Sequence, residues 1–149
     1  KRSRLDIANF TRKKVLIFYI EKSYNEFINQ APYRKSMLDC VSKYWDIPNI
    51  PKANEADFVI GVGKDKIILI VAKPNEKGWQ KVSSFDSLKK ETPVIKNPKL
   101  LERYAFEGTD ISKSSEAKDF YGKKLSDKIK FVKDITWPLY CVDNEIIDM

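Results

Sequence analysis

Asp57 and Lys73 are the first residues in this 149-residue chain whose types and spacing could do chemistry. They lie at either end of ADFVIGVGKDKIILIVAKP (residues 56–74), an acid followed by two apolar runs and a lysine. Mg²⁺-dependent phosphodiester cleavage needs two or more carboxylates on the metal and a lysine for the charge that develops on the phosphate. Asp57 offers one carboxylate and Lys73 the ammonium. In an acid-x-Lys arrangement the second carboxylate sits two before the lysine, and that position is Val71. Glu55 precedes the strand and Asp65 belongs to the far turn, so neither replaces it. A Mg-dependent nuclease therefore requires a displaced acid, Glu107, giving a degenerate core of Asp57, Glu107 and Lys73. Otherwise the segment is a hairpin in a barrel wall.

Other chemistries are excluded by composition. The chain has no histidine, which removes His-based metal sites, a Ser-His-Asp triad and a Cys-His dyad. Its two cysteines, Cys40 and Cys141, form no CxxC pair and read as reduced core thiols. No catalytic residue, metal or cofactor is expected under the non-enzymatic reading.

The second group of chemically capable residues is aromatic and basic. Trp45 and Trp79 border turn-rich segments, and Trp137 precedes Pro138. Aromatic faces beside cations can stack a base while its phosphates are held, at about 1–3 kcal/mol per stacked base. Ser23, Tyr24, Trp45, Trp79, Tyr104 and Phe106 are the expected base pocket. Arg34, Lys43, Lys73, Lys81 and Arg103 are the expected phosphate contacts. The competing account is that the same aromatics plug a small core. Arg103–Gly108 has a structural account too: Arg103 paired with Glu102 or Glu107, Phe106 in the core, and Gly108 at a turn.

The bulk numbers fit a nucleic-acid partner. Lys and Arg total 28 against 21 acids, a formal charge of +7 that attracts phosphates. A solvated lysine-rich surface explains the same charge, as in a protein-interaction module. Salt dependence of binding separates the two. The longest apolar runs are too short to span a bilayer, so no membrane role is expected and the cytoplasm is the default location.

These residues must be positioned by one domain. Residues 1–14 carry six basic side chains (Lys1, Arg2, Arg4, Arg12, Lys13, Lys14) and read as a basic lead-in or linker. Residues 15–149 read as a single domain. VLIFYI (15–20) is a buried strand, and Ser23 with Glu26 makes a capping box. Two short helices follow between Tyr24 and Trp45, broken by Pro32. Phe58–Val62 and Ile67–Ala72 form a hairpin over Gly63–Lys66. Residues 83–99 read as a long loop, Arg103–Glu107 as a strand, Ser115–Leu125 as a short helix, and Pro138–Val142 as a last strand before an acidic tail. The expected class is α+β: a small curved antiparallel or mixed β-barrel with short flanking helices.

The order of these motifs carries a resemblance. A strand-Ser-Tyr, a helix ending Tyr44-Trp45, the hairpin, Trp79, RYAFEG (103–108), YGKK (121–124) and Pro138-Leu139 resemble a small domain of bacterial and phage proteins. Its architecture is similar to the PUA-like group, which includes EVE, YTH, ASCH and SRA domains. The resemblance spans roughly residues 15–142. It implies a non-catalytic reader of nucleic acid, DNA ahead of RNA, that holds a modified or flipped base in an aromatic pocket. It also implies service as the specificity module of a restriction or defence system, fused or bound to a nuclease or NTPase effector. Two positions depart from the pattern: Ser42 replaces an Arg three before the Trp, and Trp137-Pro138 replaces Asn-Pro. If that Arg contacts phosphate in the domain it resembles, this chain uses Lys43 or Arg34 instead, or else binds differently.

Overall fold

The computed structural model describes residues 6–131 and 135–149. Lys1, Arg2 and Arg4 of the basic lead-in lie outside the described residues. In chain order the first elements are β1 (Lys14–Tyr19), α1 (Glu21–Ile28), α2 (Met37–Val41), β2 (Lys43–Trp45), α3 (Ile50–Asn54), β3 (Phe58–Val62) and β4 (Ile68–Pro74). They are followed by β5 (Gln80–Lys81), α4 (Asp86–Lys89), α5 (Thr92–Lys96), β6 (Tyr104–Ala105), β7 (Gly108–Asp110), β8 (Leu139–Val142) and β9 (Glu145–Ile147).

β1 organises the rest. It pairs in parallel with β3 and antiparallel with β8, so both its edges are bonded. Successive side chains point to opposite faces of a strand, and here both faces are apolar. Val15 and Ile17 join Ile60, Phe120 and Leu125 in one core cluster. Leu16, Phe18 and Ile20 join Val59, Ile70, Trp45 and Trp79 in another. VLIFYI is uniformly hydrophobic because it is covered twice.

The main sheet has six strands in the order β7-β4-β3-β1-β8-β9, and β2-β6-β5 form a separate three-stranded sheet. The architecture is thus mixed α+β with a six-stranded sheet and short helices. The expected closed barrel is not formed by the described strands. Among the described residues β2, β5 and β6 pair only with one another, and β7 and β9 are the edge strands of the main sheet.

Several local expectations are corrected by tertiary context. Ser23 does not cap a helix. α1 starts two residues earlier, because Ile20 still donates to the Val62 carbonyl at the end of the sheet and then accepts from Tyr24 N–H. Trp45 ends a strand rather than a helix. Residues 83–99 hold α4 and α5, which are too short and polar to show a period; Val82, Val94 and Leu100 bury beneath them with Tyr44 and Ala105. Ser115–Leu125 contains only a 3-10 turn, Ser115–Ala117. Its backbone is spent on the hairpin instead, with Ile68 N–H donating to Lys123 and Gly122 N–H to Ile68. The acidic tail supplies β9. Asp143 and Asn144, both at positive φ (50° and 68°), make the two-residue turn that folds it onto β8.

The second half of the lead-in packs into the same core as the domain. Ala8 and Phe10 are buried, and Ala8 N–H donates to the Lys124 carbonyl at 2.9 Å. Gly108 is required by close approach, not by a turn: a Cβ there would lie 2.2 Å from the Lys73 carbonyl oxygen, where β7 meets β4. Among the described residues no helix is long and apolar enough to cross a membrane.

Both cysteines are buried and free. Burial pushes each thiol up from 9.0 to about 11. At pH 8 we expect neither to react with a thiol reagent until the protein is unfolded. The unfolded chain releases these protons first as pH rises from 9 towards 11. The stability the thiols contribute is therefore whole below pH 9 and declines above it. Urea midpoints that stay level across that window would contradict this assignment.

Candidate functional site

A concavity of about 590 Å³ lies within the range of about 300–1,000 Å³ typical of ligand sites. It opens where α1 leaves the sheet and where β2 bends. Five residues expected from sequence converge on it: Ser23, Arg34, Lys43, Trp45 and Arg103. Tyr19, Tyr33 and Tyr44 add aromatic wall.

The bend in β2 builds the aromatic corner. Lys43 faces Ala105 and Trp45 faces Tyr104, so Tyr44 is an extra residue with no partner in β6. It sits at φ 72°, a region that a bulky side chain rarely adopts and that neighbouring structure must enforce. A bulge of this kind re-aims side chains. Tyr44 packs with Val82, Val94 and Leu100, while its neighbour Trp45 packs on Phe18, with ring centres 4.6 Å apart. Trp45 is 7% exposed, and its indole N–H donates to the Val41 carbonyl at 2.9 Å. Only its rim is offered to the cavity.

Each expected cation inside is already matched by a carboxylate. Lys43, 5% exposed, donates to both oxygens of Glu91 at 2.8 and 2.9 Å and lies 3.9 Å from Asp39. The Tyr44 hydroxyl also donates to Glu91. Burial, reinforced by this carboxylate, drives the Tyr44 phenol well above its ordinary value, so it stays protonated. Arg34 pairs with Glu26 at 3.1 Å, and its guanidinium lies 5.3 Å from the centre of the Tyr44 ring. Arg103 lies 3.7 Å from Asp46 and donates to the Tyr44 carbonyl. These three side chains hold the walls and leave the interior close to neutral. Arg103 pairs with neither Glu102 nor Glu107, the partners considered from sequence, because Asp46 is brought beside it by β2. Ser23 is also committed: its hydroxyl donates to the Cys40 carbonyl at 2.7 Å, tying α1 to α2.

The remaining expected pocket residues lie elsewhere. Trp79 is 3% exposed and packs with Phe18 (5.5 Å) and edge-on to Phe106 (4.8 Å) inside the second core cluster. Its buried indole N–H has no partner among the described residues. Tyr104 is half-buried against the same cluster, and Tyr24 does not border the cavity. Of the surface cations, Lys81 pairs with Glu102 at 2.8 Å and Lys73 with Glu116 at 3.4 Å.

The degenerate nuclease core does not assemble around one point. Asp57 and Lys73 border a second cavity of about 440 Å³, which Glu107 does not line. Asp57 accepts from the Lys14 backbone N–H at 2.9 Å and so fastens the start of β1. Among the described residues no three Asp, Glu, Cys or His side chains gather as a metal site.

Sequence reasoning missed Lys22 and Asn25, which follow one another around the exposed side of α1 at the cavity rim. Among the described residues Lys22 has no ion-pair partner, unlike the cations inside. The register of α1 would have found them: once the helix starts at Glu21, positions 22, 25 and 26 share a face.

Lys43→Met leaves Glu91 unmatched beside Tyr44 and is expected to cost about 3 kcal/mol in urea unfolding. Lys73→Ala, which breaks an exposed pair, is expected to cost less than about 1 kcal/mol. Equal costs would show that the Lys43–Glu91 contact is not a buried support of the cavity.

No protein-family model, curated protein or solved structure matches the chain.

Proposed function

We propose that this chain is a non-catalytic nucleic-acid-binding domain that takes one extruded base into the cavity between α1 and β2. One observation carries the reading: a single cavity of ligand size joins Trp45 and three tyrosines to an interior whose cations are already neutralised. A neutral planar guest fits such a lining. A phosphate inside would have to displace Glu91 or Glu26 from a buried partner, which is costly.

The backbone of the guest then stays at the rim. Among the described residues Lys22 is the cation there without a carboxylate, and it supplies the phosphate contact expected from Lys43 or Arg34. Unstacking and unpairing a base costs a few kcal/mol, least for an altered or unpaired one, and this favours a modified base as the target. DNA stands ahead of RNA, and the setting is the specificity module of a restriction or defence system beside a nuclease or NTPase effector. The PUA-like architecture belongs to the same proposal. The mixed sheet with short flanking helices supports it, and the open edges β7 and β9 are its departure.

The test is fluorescence polarisation with short oligonucleotides carrying plain and methylated bases. Asn25→Trp, which fills the rim from an exposed helix position, is expected to abolish binding with an unchanged melting temperature. Lys22→Ala is expected to weaken binding of every oligonucleotide and to lower the salt slope by about one. Full affinity in Asn25→Trp would remove the cavity as the binding site.

A further inference from the structure

Trp137 is 46% exposed, whereas Trp45 and Trp79 are buried. A lone exposed apolar side chain needs no explanation, but this one is displayed from a fixed segment at the edge of the cavity. Ile135 and Thr136 line that cavity, and Pro138 behind Trp137 is buried. Thr136 is clamped to Asp46: its hydroxyl donates to Asp46 Oδ2 at 2.5 Å, and Asp46 N–H donates to its carbonyl at 2.7 Å. Asp46 follows Trp45 directly and also pairs with Arg103. The inner indole wall and the exposed indole are thus joined through one carboxylate. Burying Trp137 would have removed apolar surface from water, yet it stays exposed beside the hydrogen-bonded Thr136–Asp46 pair.

We propose that Trp137 stacks the nucleobase next to the one in the cavity, so that the ligand is a strand locally unpaired over at least two successive nucleotides. This rests on the cavity being a base-binding site. Every base has a flat π-face, so the stack adds affinity without reading sequence. The cavity selects the base, and Trp137 requires that the base arrive with a stackable neighbour.

The experiment uses the whole chain and three probe forms. These are free deoxynucleosides (the four unmodified ones, 5-methyldeoxycytidine and N6-methyldeoxyadenosine), the same bases flanked by thymidine on each side, and the same bases flanked by abasic sugars. Trp137→Ala is expected to weaken the thymidine-flanked probes about tenfold and to leave free nucleosides and abasic-flanked probes unchanged. Trp137→Phe is expected to recover part of the loss. Trp137→Ala should melt at the wild-type temperature, since the side chain is exposed. Equal weakening of all three probe forms would mean a structural role and overturn the inference, as would no weakening of any. Wild-type protein that binds neither nucleosides nor oligonucleotides would instead sink the base-binding reading, and this inference with it.

Discussion

Everything in this molecule follows from a strand that is apolar on both faces. β1 cannot sit at a surface, so each side of the sheet needs a cover. One cover comes from residues near both ends of the described chain, with Phe10, Phe120 and Leu125 filling it. The other comes from the middle of the chain, where Trp45, Trp79 and Phe106 close over Phe18. Large aromatics suit this task because each buries much area at little entropic cost. Two of the indoles that could have gripped a ligand are therefore largely spent on stability.

The cavity is what this second cover leaves open. It lies where the cover changes direction, at the Tyr44 bulge, and its shape depends on keeping Tyr44 at an unfavourable φ. The Lys43–Glu91–Tyr44 contact performs that task by fastening the 82–102 segment across β2. Removing a buried polar group from water is tolerable only when its partners are complete, and here Glu91 serves two donors at once. The cations inside the cavity thus belong to its construction. Charge available to a ligand is confined to the rim.

This division changes how the +7 charge should be read. Much of the lysine and arginine near the site is cancelled locally, pair by pair, by carboxylates distant in sequence such as Glu91 and Asp46. Net charge describes the far field that draws an anion in. It says little about which cation the anion touches.

The sequence by itself determined the elements whose signal is local. VLIFYI as a buried strand and the hairpin over Gly63–Lys66 follow from apolar runs and turn residues, and both stand within two residues of their expected bounds. The absence of histidine chemistry was equally legible. Ser23, Arg34, Lys43, Trp45 and Arg103 were expected at a site together with Tyr24, Trp79, Tyr104, Phe106, Lys73 and Lys81, and nothing local separated the five that line the cavity from the six that do not. Only the tertiary structure decided their roles. Whether Trp45 and Trp79 face a guest or a core depends on which side of β1 they cover. Whether Lys43 is free depends on Glu91, 48 positions away. Such choices are made by long-range pairing of charge and packing of volume, which leave no periodic trace in the chain.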